Sequence, residues 1–373
     1  MCIMIGQSFL VGGAVRDHLL GLPVSDRDWV VVGSTPAQML QAGFLQADPD
    51  FPVFLHPDSR EEYALARRET KVSEGYRGFI VDCSPTISLE DDLIRRDLTI
   101  NALAEDTDGR LIDLFGGQRD LQARCLRHIS PAFVDDPLRL LRVARFAAKL
   151  GHLGFAVADE TLCLMRDMVD SLATLQPARI WHELLKALGY SQPWRFFEVL
   201  FDCGAWSAGF LTGPLEPSSV DGTLSVALAA LRRACVVTDD PVIRFAAFWL
   251  QSPAPAVLTE VLPKRYRVLL AQAQSAWHDV VSLSTGSPES VEAFLHFHQA
   301  WHPQGRYTAV RQVLLAQAIQ PDLLVRLDQA QAAGADVCVD ALRAQGLSGA
   351  AIGQALRAAR CAKIAAIWTP SAI

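Results

Sequence analysis

The sequence predicts an α+β head followed by an all-helical remainder, and three observations predict it. Short β-branched and apolar runs bounded by glycine or proline fall within roughly the first 130 residues. From Asp136 to about residue 200, apolar residues recur at helical spacing. Beyond Phe201 the chain is rich in Ala, Leu, Gln and Arg and reads as helical throughout. A chain of 373 residues should divide into two or more domains.

Phe9-Leu10-Val11 is a short apolar strand running into Gly12-Gly13, and Ala14 to Leu20 follows at helical spacing. A strand, two glycines and a helix start place bare backbone N–H groups where a phosphate can sit, with Arg16 one turn in. Trp29-Val30-Val31-Val32, between Pro23 and Gly33, reads as a buried strand. Residues i and i+2 of a strand share a face, so Asp26 and Asp28 should project together from its beginning, with Arg27 turned away. Such an oxygen pair suits a hard divalent ion, Mg²⁺, shared with substrate phosphates. Each feature also has a plainer reading, a Gly-Gly turn and a surface D-x-D pair.

Ser34-Thr35-Pro36 is a helix start. Glu61 to Arg67 reads as a strand, and beside the one carrying Asp26 and Asp28 it would offer Glu62 as a possible third acid. Arg67 to Asp82 is polar, basic and glycine-containing, a loop returning into a short strand. Glu90 to Ala104 has an amphipathic helix pattern, with Arg95, Arg96 and Asp97 between its apolar residues. There Arg96 would meet triphosphate oxygens, with Asp97 holding it or completing the metal site, unless the group is a solvated helix end. Leu111 to Arg127 supplies a strand, a Gly-Gly turn and a helix bearing Arg119, Arg124 and Arg127, mainly structural.

Asp136-Pro137 opens a helix with Asp as N-cap and Pro at its first position. Arg139, Arg142, Arg145 and Lys149 then form a basic stripe. Cytosine and adenine both show an exocyclic amino donor beside a ring-nitrogen acceptor. One carboxylate and one arginine, Asp136 and Arg139, can therefore serve both bases and reject uracil and guanine. A capped helix with a solvated basic face is the alternative. Arg179 and Glu183, one helical turn apart, could pair and brace this helix. LTGPLEPSSVDG looks like a linker, and the tail arginines Arg343, Arg357 and Arg360 would suit phosphate contact or simple solvation.

Composition sets bounds on function. Half of the residues are hydrophobic and 20% are charged, ordinary for a globular protein, and no run approaches a membrane span. Met1 to Ile5 has neither the basic region nor the cleavage pattern of a signal peptide. The eight cysteines are scattered with no C-x-x-C pair, which argues for free thiols in a reducing cytoplasm. A net charge of −7 does not by itself suggest a nucleic-acid binder, but the basic residues cluster locally. No histidine lies between His182 and His278, so His278-Asp279 lacks an upstream partner and no phosphohydrolase activity is expected. His296, His298 and His302 have metal-like spacing without an acid or cysteine to complete a site.

The pattern G-G-x-V-R-D-x-L-L-G-x-x-x-x-D-x-D over Gly12 to Asp28 resembles the signature of class II tRNA nucleotidyltransferases and bacterial poly(A) polymerases. R-R-D-x-x-x-N-A at Arg95 to Ala102 is similar to that family's second motif. D-D-P-L-R at Asp135 to Arg139 resembles its E-D-x-x-R motif, with Asp135 in place of Glu, and Arg179 with Glu183 resembles R-x-x-x-E. The resemblance covers residues 8 to 200 closely and implies a polymerase-β-like nucleotidyltransferase head. It implies a head at 1–130, a helical neck at 131–200, a body at 201–305 and a tRNA-binding tail at 306–373.

The implied reaction is template-independent addition of CMP, CMP and AMP from CTP and ATP to the 3′ end of tRNA. Asp26 and Asp28 would be catalytic and bind Mg²⁺. Gly13, Arg16, Arg96, Arg142 and Arg145 would hold the triphosphate, Asp136 and Arg139 would choose the base, and Asn101, Arg179 and Glu183 would support them. No membrane and no obligatory protein partner are expected. CC-only or A-only addition, a poly(A) polymerase and an inactive RNA-binding relative are the rival readings. A G-R-[RK]-F-R run and a strongly basic tail, typical of poly(A) polymerases, do not occur.

Overall fold

The computed structural model describes residues 6–47, 52–71, 79–211 and 220–368. The chain divides into two compact units, Met1–Ala187 with Arg195–Phe210, and Leu188–Trp194 with Leu211–Ile373.

In the first unit β1 (Gln7–Val11) leads through Gly12 into α1 (Gly13–Leu19), and β2 (Asp28–Val32) pairs antiparallel to β1, Val11 opposite Asp28. After α2 (Pro36–Gln41), β3 (Leu45–Gln46) and β4 (Val53–Leu55), β5 (Glu62–Leu65) runs parallel to β2 with Glu62 level with Asp28. β6 (Arg68–Lys71) and β7 (Phe79–Asp82) form a separate antiparallel ribbon. α3 (Leu89–Ile94), a 3₁₀ turn at Thr99–Asn101, β8 (Leu103–Asp106) and β9 (Leu111–Asp113) follow. The seven-stranded sheet has the order β3-β4-β5-β2-β1-β8-β9.

β2 is apolar without alternation because both of its faces are covered. Val30 packs among Phe9, Val11, Leu93 and Ala104, and Val31 among Met39, Phe44, Phe54 and Leu65. α2 starts as the sequence suggests. Thr35 Oγ1 accepts from Gln38 N at 3.3 Å, and Gln38 Oε1 accepts from Thr35 N at 2.9 Å.

Two expectations are corrected here. The helical pattern from Glu90 to Ala104 is helical only to Ile94. Leu98 turns extended (φ −123°, ψ 147°), its N–H bonded to Asp97, and Leu103 already belongs to β8. The apolar residues recur because the turn and the strand bury them in the same core, not because one helix carries them. Arg67 to Asp82, expected as a loop returning into a short strand, ends in that strand, β7, but also contributes β6 at its start, and its residues 72–78 lie outside the described ones.

The first unit continues through α4 (Gly117–Gln122), β10 (Cys125–Leu126), α5 (Leu138–Leu150), β11 (Ala156–Val157) and α6 (Asp159–Asp167), then α7 (Pro177–Gly189) and α8 (Trp194–Asp202). Asp113 caps α4, accepting from Gly117 N at 2.8 Å and Gln118 N at 2.9 Å. Asp136 caps α5 from outside, its Oδ1 accepting from Leu138 N at 3.0 Å.

The described part of the second unit is helical: α9 (Val220–Val237), α10 (Pro241–Phe248), α11 (Lys264–Leu283), α12 (Pro288–Phe297), α13 (Tyr307–Ala316), α14 (Pro321–Ala335), α15 (Val339–Ala344) and α16 (Ala350–Ala365). Residues 212–219 of the expected linker lie outside the described ones. Arg244, fully buried on α10, binds this unit's segments together by donating to Leu188 O (2.9 Å), Tyr190 O (3.0 Å) and Asp239 (2.7 Å). Among the described residues no helix is long and apolar enough to cross a membrane.

Candidate active site

The site is built around the turn after β1. Gly12 has φ +70° and ψ −122°, a conformation that only glycine adopts without strain. A Cβ there would stand 2.9 Å from Arg96 Nη1. Arg96 donates from Nη2 to Asp92 at 3.1 Å and from Nη1 to Asn101 O at 3.5 Å, while its Nε is buried without a partner. Asp92 is completely buried and shared with Arg95 at 2.5 Å. Burial alone would push its carboxyl up, but Arg96 and Arg95 together hold it below the usual carboxylate range.

Asp28 is the first residue of β2, whereas Asp26 precedes the strand, exposed and accepting from Ser25 Oγ at 3.0 Å. Both therefore stand at the strand's entrance rather than two places along it. Burial raises the pKa of Asp28, Arg96 lowers it and Asp26 raises it, which sets the three charges close together.

Around this entrance runs a buried polar chain. Arg16 spends all three guanidinium nitrogens on protein: Nε and Nη2 on Asp17 (2.8 and 2.7 Å) and Nη1 on Asn101 Oδ1 (2.5 Å). Asn101 Nδ2 donates to Asp97 at 2.9 Å, and Arg142 Nε donates to the other oxygen of Asp97 at 2.7 Å. Burial opposes ionisation of Asp97, yet Arg142, Asn101 and the Leu98 N–H outweigh it and keep the carboxyl ionised well below the ordinary range. Lys149 donates to Asp17 at 2.7 Å. Arg145 donates to Glu183 at 2.5 Å and lies over the Phe146 ring, 4.2 Å from its centroid. Arg16 and Arg142 also lie over that ring.

Several expectations change in consequence. Arg16 and Arg145, expected on the triphosphate, are buried and hydrogen-bonded to Asp17, Asn101 and Glu183. The Asp97 oxygens engage Arg142, Asn101 and Leu98 N, and it is Asp92 that pairs with Arg96. Glu62 lies on Asp28's level of the neighbouring strand, exposed, and among the described residues no three His, Cys, Asp or Glu gather as metal ligands. Arg179 reaches Asp136 at 3.0 Å and Glu183 reaches Arg145, so each ties α7 to the α5 segment. Arg139 donates to Ala132 O and Arg95 O, both at 2.6 Å.

The histidine cluster does not assemble. α12 ends at Phe297, His298 is buried against Phe294 and Phe297, His302 Nδ1 accepts from Gln304 N, and His296 faces Arg357. In the tail, Arg360 lies over the Trp301 ring at 4.0 Å and Arg343 pairs with Asp340. Sequence reading missed Asp17, Asp92 and Phe146 as parts of this arrangement, and it placed Lys149 in the basic stripe without its partner. Asp92 had a signal, an acid three and four residues before Arg95 and Arg96 on a helix. Asp17 and Lys149, 132 residues apart, had none.

Residues 8–127 match the family described as Poly A polymerase head domain, and residues 154–210 match Probable RNA and SrmB-binding site of polymerase A. The multifunctional CCA protein of Thioalkalivibrio sulfidiphilus is 52% identical over 270 residues, 70% of this chain and 66% of that protein. The chain belongs to the class II tRNA nucleotidyltransferase family. A second member, the multifunctional CCA protein of Hahella chejuensis, is 57% identical over 252 residues, 65% of this chain and 60% of that one. The match thus spans somewhat under two thirds of these relatives' length. In fold the chain resembles the family's solved structures. A Bacillus stearothermophilus CCA-adding enzyme in complex with CTP gives a TM-score of 0.63 at 23% identity, covering 96% of this chain and 88% of that one. A CCA-adding enzyme with ATP gives 0.69 at 22% identity, with 96% and 86% covered.

Proposed function

We propose that the chain adds CMP, CMP and AMP, drawn from CTP and ATP without a template, to the 3′ end of tRNA and releases pyrophosphate. The observation that carries the reading is the entrance to β2. There the Asp28 carboxylate feels the charges of both Asp26 and Arg96, and the Arg96 Nε is buried and unpaired. A donor desolvated without a partner is costly, and a phosphate oxygen would satisfy it. Arg142 bonds Asp97 through Nε alone, which leaves its Nη groups for the same anion. Gly13 would let the backbone approach the phosphates.

The donor set fits Mg²⁺: two hard carboxylates, one of them raised in pKa by burial and by the other, a strain that a dication relieves. When bound by Asp26 and Asp28, Mg²⁺ lowers the pKa of the attacking hydroxyl and neutralises developing phosphate charge. The tRNA 3′-oxygen attacks the α-phosphate and the bond to pyrophosphate breaks. Arg96 and Arg142 hold the leaving charge in place, and Asp92 and Asp97 fix those two cations in advance, so little reorganisation accompanies the reaction.

Asp136 and Arg139 would choose the base by exchanging their present protein partners, Arg179 and two carbonyls, for a cytosine or adenine edge. The division into head 1–130, neck 131–200, body 201–305 and tail 306–373 belongs to this reading, as does a cytoplasmic setting for the free thiols.

Incorporation into a tRNA lacking CCA, with Mg²⁺ and labelled CTP, ATP or both, tests the proposal. Two residues from CTP alone and one terminal A on adding ATP are the expected products. Addition that stops at CC, or only A onto a CC end, would make it a partial enzyme, and a long A tract a poly(A) polymerase. No incorporation would favour an inactive RNA-binding relative.

A further inference from the structure

The bonds beneath the site form a closed loop with no hinge in it. It leaves α5 at Arg142, passes through Asp97, Asn101, Arg16 and Asp17, and returns to α5 at Lys149. Each link is 2.5–2.9 Å, and Asp97, Asn101, Arg16 and Asp17 are all buried. Arg142 and Lys149 are seven residues apart, so they stand on one face of α5 about 10 Å from each other along its axis. A helix held at one point can pivot; held at two it can neither pivot nor slide.

We propose that Lys149 and Asp17 are positioning residues for base choice, fixing the far end of α5 to α1 so that Asp136 and Arg139 stand at one set distance from the Gly12-Gly13 turn. This rests on the nucleotidyl-transfer reading above. Asp136 and Arg139 sit at the opposite end of α5, Arg139 about 15 Å along the axis from Lys149, too far for Lys149 to touch the same base. A slide of one residue moves a helix by about 1.5 Å, more than a bidentate hydrogen bond tolerates. Base discrimination needs both hydrogen bonds at once, whereas phosphate attraction falls off slowly with distance. Loosening the Lys149 end should therefore relax the choice of base before it slows the chemistry.

Lys149→Met makes a clean test because it keeps the aliphatic stem and leaves Asp17 paired with Arg16 at 2.7 Å, so no buried charge is orphaned. The readout is kcat/KM for CTP against UTP and for ATP against GTP, on tRNA lacking CCA or its terminal A, with a thermal melt of each variant. In Lys149→Met both ratios should fall about tenfold, through raised KM for CTP and ATP with kcat little changed, and Lys149→Arg should restore them. Lys149→Gln gives the same measurement should the methionine depress the melt. Unchanged ratios in a folded variant overturn the inference. So does an equal loss of kcat for all four nucleotides, the mark of a merely structural role. An unmodified chain that binds neither CTP nor ATP would instead overturn the reading beneath it.

Discussion

Asp92 and Asp97 are the two carboxylates on which the cations of this site are hung. Each is buried, and each stays ionised because it holds arginines that would otherwise be free to fold away. Removing either leaves a guanidinium without its counter-charge. Asp97→Ala should cost about 2–3 kcal/mol in urea denaturation, and it should raise KM for both nucleotides by releasing Arg142. A variant with the parent's midpoint would show that the buried pair contributes nothing net. Asp26 and Asp28 are different, lying at an exposed strand entrance where little packing depends on them. Asp26→Ala and Asp28→Ala should each abolish incorporation while tRNA binding, read by filter retention, persists. Full activity in both would remove the metal assignment.

At the scale of elements, the decisive feature is the break between β1 and α1. Gly12 turns with positive φ so that the helix starts at once, and its missing Cβ gives Arg96 room. Gly12→Ala meets both a forbidden backbone and the Arg96 Nη1 at 2.9 Å. We expect it to cost about 1–3 kcal/mol and to weaken ATP and CTP binding in isothermal titration. Binding at parent strength would mean that Arg96 is not set by this turn. The segment after α3 teaches the same lesson. Its apolar spacing suits a helix, but Asp97 captures the Leu98 N–H and the chain turns extended to enter β8. Local periodicity lost there to a tertiary need, the placing of Asp97 and Asn101 against Arg142 and Arg16.

Across the whole molecule the two units differ in how acid reaches them. His298, in the second unit, is fully buried, and burial lowers its pKa to about 4. The unfolded chain protonates that histidine near its ordinary 6.5, so its contribution is complete above about pH 6.5 and drains as the pH falls towards 4, by up to about 3 kcal/mol. In the first unit Asp92 and Asp97 are held below the usual carboxylate value, so their contribution survives until the pH drops beneath about 3.8. His128 there is also lowered, by burial and then Arg127, but it keeps solvent contact and its share is smaller. Hydrogen exchange followed from pH 7 to 4.5 should show α11 and α12 opening before the head sheet, and His298→Phe should remove the difference. Simultaneous opening in the parent protein would contradict it.

The sequence by itself determined the α+β head, the helical remainder, the strand that opens at Asp28, the capped starts of α2 and α5, and the family. Those features depend on residues close together in the chain, where spacing, glycine and proline act directly on the backbone. Only the tertiary structure decided which charge serves which. Arg16 went to Asp17 and Asn101, Arg96 to Asp92, Arg179 to Asp136 and Glu183 to Arg145. Lys149 found Asp17 across 132 residues. A charged side chain shows in sequence that it needs a partner, but several opposite charges satisfy that need equally well. The packing of α1, α5 and α7 decides which of them come within reach.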